Sequence, residues 1–138
     1  MVYGIGCDLC SIARMEKSLL GPHGVVFARR VFGPAEQAAL GLPLAEEEGT
    51  ARRTAHTVAS AAADFAAKEA FLKAAGTGLR EPFSLCEIEA VRLPGGAPAY
   101  HFSGRSAQWV EARRLRAHLS LSHEDGMAMA YCILETET

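Results

Sequence analysis

The chain has 138 residues, 49% of them hydrophobic and 22% charged, and its formal net charge is −2. This size suits one domain over residues 1–138 with a hydrophobic core of its own. The charge argues against a general nucleic-acid-binding protein, and the lack of an apolar run of roughly 20 residues or of a signal-peptide pattern argues against a membrane or secreted protein. We therefore expect a cytoplasmic protein that binds neither nucleic acid nor membranes.

The N-terminal third predicts a strand followed by short helices. Residues 1–8 combine strand-forming side chains with glycines and end at an acid, Asp8. Ser11 is a suitable N-cap for a short helix. Further short helices are predicted over residues 25–31 and from Pro34, because Gly-Pro pairs interrupt the sequence between them.

A long helix is predicted over residues 50–75, because residues that favour helices dominate its second half and a glycine ends it. Phe65, Glu69 and Leu72 recur on one face of this helix, which places a carboxylate among apolar side chains. Such a carboxylate needs a compensating cation, either a metal ion or Lys73 one turn later. An ordinary surface pair between Glu69 and Lys73 is the alternative.

The second half of the chain predicts several strands and one helix. The helix is expected at residues 106–115, and the strands are expected at residues 84–92, 99–102, 118–123 and 127–134. The last two strands form a hairpin around Glu124-Asp125-Gly126, with His123 where the first strand meets the turn. The sequence therefore predicts an α+β fold in which a long helix packs on an antiparallel sheet.

Cys7 and Cys10 are the only closely spaced cysteines. This spacing is typical of a redox dithiol or of half a zinc site, but Cys86 and Cys132 stand alone and offer no second pair of ligands. We interpret the four cysteines as reduced structural thiols, with a redox module as the alternative.

Three motifs resemble those of one enzyme family. Gly4-Ile5-Gly6-Cys7-Asp8, the segment from Phe65 to Gly78, and Leu121-Ser122-His123-Glu124 are similar, in order and separation, to signatures of the holo-acyl-carrier-protein synthase group of phosphopantetheinyl transferases. The resemblance extends over nearly the whole chain. It implies an enzyme that moves the phosphopantetheine arm of coenzyme A to a serine of an apo acyl carrier protein, of fatty-acid or polyketide biosynthesis, and releases adenosine 3′,5′-bisphosphate.

The same resemblance implies the site residues. Asp8, Glu69 and Lys73 match catalytic residues: the two acids match Mg²⁺ ligands, and Lys73 matches a lysine near the pyrophosphate. Mg²⁺ suits two carboxylates because it prefers oxygen ligands and shares its shell with phosphates. The base that activates the carrier serine is left open between a metal-bound water, Glu69 and Glu124. Contacts with coenzyme A are implied for Lys73, His123 and the turn formed by Gly76, Thr77 and Gly78.

The partners follow from the resemblance as well. Arg14 and Arg30 occupy positions similar to those of carrier-contacting arginines, which suits an acidic carrier protein. The small members of the family are homotrimers with active sites between subunits, so a homotrimer is implied here too.

One residue departs from the family pattern. An arginine usually stands directly before the Phe-Ala-Ala-Lys-Glu run, whereas this chain has Asp64. If that arginine holds a phosphate of coenzyme A or a neighbouring subunit, Arg53 or Arg80 is the candidate replacement. A catalytically silent coenzyme A-binding module is therefore the alternative function.

Overall fold

The computed structural model describes residues 1–44 and 51–137, and the side chains of residues 51–53 are left out of the description. Thr50, the first residue of the predicted long helix, lies outside the described residues. The elements are β1 (Val2–Ser11), α1 (Ile12–Leu20), α2 (Gly24–Val31), α3 (Pro34–Leu40), α4 (Ala51–Ala75), β2 (Ile88–Arg92), β3 (Pro98–Phe102), α5 (Gly104–Ala112), β4 (Leu115–Glu124) and β5 (Met127–Thr136).

The predicted arrangement of a long helix on an antiparallel sheet is confirmed. Strands β1, β5 and β4 form one sheet in that order, with β5 in the centre, and β2 pairs with β3 in a second, two-stranded sheet. Helix α4 packs along β1 and β5 on one face of the larger sheet. The chain is therefore built around α4, as the length and composition of that segment predict.

Two glycines allow β1 to lie directly against the backbone of α4. A Cβ atom on Gly4 would come within 1.9 Å of the carbonyl oxygen of Ala74, and one on Gly6 within 2.1 Å of that of Ala70. No larger residue fits at either position without moving the strand away from the helix. This close approach fixes the end of β1, and with it Asp8, against the C-terminal half of α4.

Hydrophobic side chains form two clusters, and α4 contributes to both. One cluster joins the C-terminal half of α4 to β5, β2 and α5 around Phe71, whose ring contacts those of Phe83, Phe102 and Trp109. The other joins the N-terminal half of α4 to α1 and α2. Because α4 is shared, its position is determined by packing on nearly every side.

The structure corrects several element boundaries. The strand predicted over residues 84–92 begins only at Ile88, because Leu85–Glu87 form a short 3₁₀ turn. The helix predicted over residues 106–115 spans Gly104–Ala112, and Leu115 already belongs to β4. In the hairpin, the first strand starts three residues earlier than expected. Within the described residues, no helix combines the length and apolar character needed to cross a bilayer.

Candidate functional site

Asp8 and Glu69 come from distant parts of the sequence and meet where β1 crosses α4. Asp8 lies on the face of β1 that packs on the helix, opposite Ala130 of β5, and its side chain is 19% exposed. Glu69 is half-buried on α4. Burial raises the pKa of Glu69, and the nearby negative charge of Asp8 raises it further. Two carboxylates are thus held close together in a partly water-excluded place.

Lys73 supplies the positive charge at this point. Its Nζ donates a hydrogen bond of 2.9 Å to Oδ1 of Asp8 and another of 3.0 Å to the carbonyl oxygen of Cys7. The hydrogen bond that Lys73 donates to Asp8, together with the negative charge of Asp8, raises the pKa of Lys73 above its usual value. Glu69 and Lys73 are therefore more than an ordinary surface pair of one helix, because both interact with an acid on a separate strand.

The donor set fits a magnesium ion that is only partly held by protein. Asp8 and Glu69 offer carboxylate oxygens, which Mg²⁺ prefers, and their mutual repulsion is relieved by a cation between them. Among the described residues no group of three potential protein ligands comes together. Water and phosphate oxygens would therefore have to complete an octahedral shell, which is the usual arrangement for Mg²⁺.

The predicted phosphate-contacting turn follows α4 directly. Gly76 and Gly78 have φ angles of 80° and 65°, a region that side chains rarely enter, and the hydroxyl of Thr77 donates to the carbonyl oxygen of Gly78. The turn begins three residues after Lys73, so the same end of the helix carries the lysine and the glycines. The structure therefore brings Asp8, Glu69, Lys73 and this turn to one end of α4.

His123 lies away from these residues within the same chain. It pairs with Ala128 of β5, which in turn pairs with Cys10 of β1, so two strand spacings, about 10 Å, separate His123 from β1. His123 also shares a cavity with Ser60 of α4, and Ser60 precedes Lys73 by about 20 Å of helix. One copy of the chain does not bring His123 to Asp8 and Glu69.

The arginines expected to contact a carrier protein are exposed. Arg14 follows the Ser11 cap of α1, and Arg30 lies in the last turn of α2. Arg14 also lines a cavity of about 240 Å³ together with the aromatic side chains of Phe27 and Phe65. This cavity adjoins the paired acids, because Cys10 lines it and its pKa is raised by burial and by Asp8.

A buried charged network on another side of α4 was not predicted from the sequence. Lys68 is fully buried, pairs with Glu36 of α3, and donates to the carbonyl oxygens of Ile88 at 2.6 Å and Leu85 at 3.0 Å. The backbone N–H of Glu36 donates to the buried Glu89 at 2.8 Å. The network ties α3 and β2 to the middle of α4.

Asp64 belongs to that network and not to the pair of acids. Its side chain is buried, and its pKa is raised to about 8, first by burial and then by Glu36, while Lys68 and Arg92 act in the opposite direction. The sequence did carry a signal: Asp64 and Lys68 are four residues apart among alanines, so they share one helix face. The change of charge at position 64 therefore lies on a different face of α4 from Glu69.

The candidate replacements for the arginine that this chain lacks at position 64 are Arg53 and Arg80. Arg80 is exposed beyond the Gly76–Gly78 turn, and the side chain of Arg53 lies outside the described residues.

Cys7 and Cys10 lie on opposite faces of β1. Cys7 pairs with the exposed Tyr131, and Cys10 pairs with the buried Ala128. All four cysteines are free thiols. Because side chains three residues apart on a strand point in opposite directions, the two thiols do not form a dithiol pair, and the interpretation as structural thiols is the one that fits.

Comparisons with known proteins cover nearly the whole chain. The sequence model of the 4′-phosphopantetheinyl transferase superfamily matches residues 4–132. A holo-[acyl-carrier-protein] synthase of Leptothrix cholodnii is 39% identical over 137 residues, which cover 99% of this chain and 98% of that protein.

Solved structures agree with this. The holo-[acyl-carrier-protein] synthase of Neisseria meningitidis superimposes with a TM-score of 0.78 at 30% identity, covering 99% of this chain and 100% of its own. The holo-(acyl-carrier-protein) synthase of Bacillus anthracis, solved in complex with coenzyme A (3′,5′-ADP), gives a TM-score of 0.72 at 31% identity, with 99% of both chains covered.

Proposed function

The chain belongs to the 4′-phosphopantetheinyl transferase superfamily, and on that premise we propose that it is a holo-[acyl-carrier-protein] synthase. It transfers the 4′-phosphopantetheine arm of coenzyme A to a serine of an apo acyl carrier protein. The observation that carries this conclusion is the meeting of Asp8, Glu69 and Lys73 at one end of α4, in a chain similar over its full length to enzymes of that name.

The reaction needs charge stabilisation on a diphosphate. Asp8 and Glu69 hold Mg²⁺ in this proposal, and the ion, when bound, neutralises charge on the diphosphate oxygens during the displacement. Lys73 has three N–H donors and a side chain that is 55% exposed, so it can turn from Asp8 to the leaving phosphate. The Gly76–Gly78 turn lines the same cleft. The leaving group is adenosine 3′,5′-bisphosphate.

The carrier serine must lose a proton as it attacks phosphorus. Glu69 is a candidate base already at the site; burial and the charge of Asp8 raise its pKa, and a bound Mg²⁺ would lower it again. Glu124 lies exposed at the end of β4, beside His123 and two strands from β1. Glu124 could therefore act only in a site to which a second copy of the chain contributes. A metal-bound water remains the third candidate.

The carrier protein binds at the exposed side of α1 and α2 in this proposal. Arg14 and Arg30 provide positive charge there, and the apolar side chains of Leu20, Val25 and Val26 are more than 45% exposed between them. An acidic helix with a few apolar side chains would match this combination. The cavity beside Arg14 then lies between the docked carrier and the paired acids.

The active assembly is a homotrimer in this proposal. The face of the large sheet that points away from α4 is exposed and apolar, with Ile5 at 57% and Leu9 at 60% exposure beside Met129 and Tyr131. A contiguous apolar face of this kind is usually covered by another protein surface. The separation of His123 from Asp8 within one chain supports the same conclusion, because a second copy can bring the two together.

The cellular location and the domain organisation are also part of the proposal. Free thiols at all four cysteines suit a reducing compartment, which supports a cytoplasmic location. Residues 1–138 act as one catalytic domain, since α4 joins both hydrophobic clusters.

The test is intact-mass spectrometry of an apo acyl carrier protein incubated with this protein, coenzyme A and Mg²⁺. We expect the carrier to gain one phosphopantetheine, and the gain to be lost with EDTA and with Glu69→Ala. Glu111→Ala, which removes an exposed glutamate of α5, is the matched control and should transfer normally. If no carrier gains mass while coenzyme A still binds, the chain is a silent coenzyme A-binding module.

A further inference from the structure

Lys68 directly precedes Glu69 in α4, and the two side chains leave the helix about 100° apart. Lys68 is fully buried and pairs with Glu36 of α3, whereas Glu69 lies beside Asp8 of β1. Neighbouring residues of a helix turn together, so a contact that fixes the direction of Lys68 also fixes the direction of Glu69. The buried charged network and the paired acids are therefore connected through the backbone of α4.

Small residues form the closest contact between α4 and β1. Gly4 and Gly6 lie against the carbonyl oxygens of Ala74 and Ala70, so that backbone meets backbone there. Long side chains of one element that fit between those of another set the angle of a contact, and glycine and alanine offer little of this kind. The contact with β1 therefore determines how close α4 lies more sharply than it determines the rotation of α4 about its own axis.

Directional bonds hold Lys68 on the other side of the helix. Its Nζ pairs with the carboxylate of Glu36 and donates to the carbonyl oxygens of Leu85 at 3.0 Å and Ile88 at 2.6 Å. These three acceptors match the three N–H groups of a lysine ammonium. Because the acceptors come from α3, from the 3₁₀ turn and from the start of β2, a rotation of α4 would break bonds to all three.

Glu36 is held in place by backbone groups outside α4. Its carboxylate accepts hydrogen bonds of 3.1 Å from the N–H groups of both Gly33 and Ala90, and its own N–H donates to the buried Glu89 at 2.8 Å. The acceptor of Lys68 is therefore positioned by α3 and β2. The desolvation of a buried ion pair offsets much of its attraction, so stability alone does not account for the pair. Its fixed directions suit a role in orientation.

A small rotation of α4 is enough to disturb the paired acids. The carboxylate of a helical glutamate lies roughly 6 Å from the helix axis, so a turn of about 10° moves it by about 1 Å. A binding or catalytic group must be held within about 0.5 Å of its productive position. A misplacement of about 1 Å can lower a rate about a hundredfold.

We propose that the buried pair of Lys68 and Glu36 sets the rotation of α4 and so directs Glu69 towards Asp8 for metal binding. Lys68 and Glu36 are then positioning residues, which act through Glu69 and touch neither coenzyme A nor the carrier. This inference rests on the proposed function, in which Asp8 and Glu69 hold Mg²⁺. It gives a role in the reaction to a charged pair that the transfer chemistry itself does not use.

Lys68→Met tests the pair because it removes the three donors and keeps a side chain of similar length. We expect Mg²⁺ to bind about tenfold more weakly in titration calorimetry and kcat to fall about tenfold or more, the usual effect of losing a residue that orients a metal ligand. The KM for the carrier should not change. Val110→Ala is the matched control, because it opens a cavity beneath α5 and lowers stability without touching α3. Its kcat should equal that of the unaltered protein.

Glu36→Gln addresses the same pair without altering α4. A glutamine has one acceptor oxygen, so it cannot serve both Lys68 and the N–H of Ala90 as the two carboxylate oxygens do. This variant should show the same defect to a smaller extent, and it keeps the inference testable if Lys68→Met does not fold. Crystal structures of the unaltered protein and of the variants should show the carboxylate of Glu69 displaced by about 1 Å relative to Asp8.

The outcomes separate this inference from the proposed function. Unchanged Mg²⁺ binding and unchanged kcat in a folded variant of the pair would overturn the inference, and so would an equal loss of kcat in Val110→Ala. A lower kcat with Glu69 in its original place beside Asp8 would also overturn it, because Lys68 would then act by another route. If the unaltered protein transfers nothing, the proposed function fails, but the crystal structures still decide whether the pair directs Glu69.

Discussion

Lys73 donates a hydrogen bond of 2.9 Å to Asp8, so the cation of the site is paired with one of the two acids assigned to the metal. A metal ion bound as proposed would therefore compete with Lys73 for the carboxylate of Asp8. Since the lysine side chain is 55% exposed, it can leave Asp8 without losing its hydration. In the proposed mechanism, Lys73 neutralises Asp8 until Mg²⁺ and coenzyme A bind.

This competition predicts that replacing Lys73 strengthens the binding of Mg²⁺ and weakens the transfer reaction. In Lys73→Ala, Mg²⁺ should bind the protein without coenzyme A a few-fold more tightly, at most about fivefold, because an exposed ion pair no longer opposes it. Transfer to the carrier should fall at least about tenfold, because the leaving phosphate loses a charged partner. Titration calorimetry with Mg²⁺ and the mass assay measure the two effects.

Asp8→Asn is the companion variant. It removes the carboxylate and should abolish Mg²⁺ binding while leaving Lys73 in place. Weaker Mg²⁺ binding in Lys73→Ala would show that the lysine supports the metal site, and the competition would then be wrong.

Arg14 predicts a specific defect in carrier binding. Reversing its charge with Arg14→Glu should raise the KM for the carrier several-fold at low ionic strength and leave the KM for coenzyme A unchanged, because Arg14 lies on the exposed side of α1. The effect should shrink as salt is added, since exposed charges are screened within about 10 Å at 0.1 M salt. Steady-state kinetics at two salt concentrations measure it. An equal rise in Arg105→Glu would mean that overall charge, and not the docking surface, is responsible.

Much of the fold follows from local sequence signals. The long helix, the final hairpin and the strand ending near Asp8 depend on helix-forming composition, alternation and turn residues, which act within a few residues of one another. The predicted boundaries that are wrong lie where tertiary packing, and not local sequence, determines the backbone conformation. Residues Leu85–Glu87 form a turn in which the carbonyl oxygens of Leu85 and Ile88 accept hydrogen bonds from Lys68. Because Lys68 lies about twenty residues earlier in the chain, no local sequence pattern predicts this turn.

The candidate site was also predictable only where local sequence motifs identify its residues. Asp8, Glu69 and Lys73 were identified by motif, and the packing of glycines in β1 on α4 brings them together. The surroundings of Asp64 were not predicted, because helix periodicity relates residues of one helix to each other but does not tell which neighbouring element each face meets. The cavity around His123 is lined by α4, β2 and β4, which are far apart in sequence, and the motif at residues 121–124 identified only the part that β4 contributes.

The proposed trimer, in which each site is shared between two copies, predicts complementation between two inactive variants. Glu69→Ala removes a proposed metal ligand, and His123→Ala removes a proposed coenzyme A contact in the cavity beside Ser60, so each protein alone should transfer poorly. If copies of both variants mix at random in a trimer, about a quarter of the sites combine an intact Glu69 with an intact His123. Mixing the unfolded proteins, refolding them together and repeating the mass assay measures this recovery. Sites built within one chain would give no recovery on mixing.

Asp64 predicts how stability depends on pH. Its carboxyl is buried beside Glu36 of α3, Lys68 of α4, and both Glu89 and Arg92 of β2, and its pKa in the folded protein is raised to about 8. In the unfolded chain the pKa is near 3.8. Between these values the folded protein holds a proton that the unfolded chain has lost. The contribution of Asp64 to the free energy of unfolding is therefore complete below pH 3.8 and is lost as the pH rises to 8.

Asp64→Asn should remove this dependence, because an amide does not ionise. The variant should gain stability relative to the unaltered protein as the pH rises, by at most about 1.4 kcal/mol for each pH unit up to the folded pKa of the acid, and by a constant amount above it. Urea unfolding at pH 6, 7, 8 and 9 measures the difference in the free energy of unfolding. Glu111→Gln, an exposed acid of α5, is the control and should show no such trend. A difference between Asp64→Asn and the unaltered protein that stays constant from pH 6 to pH 8 would mean that Asp64 is ionised throughout, stabilised by Arg92 and Lys68 more strongly than burial and the neighbouring acids oppose it.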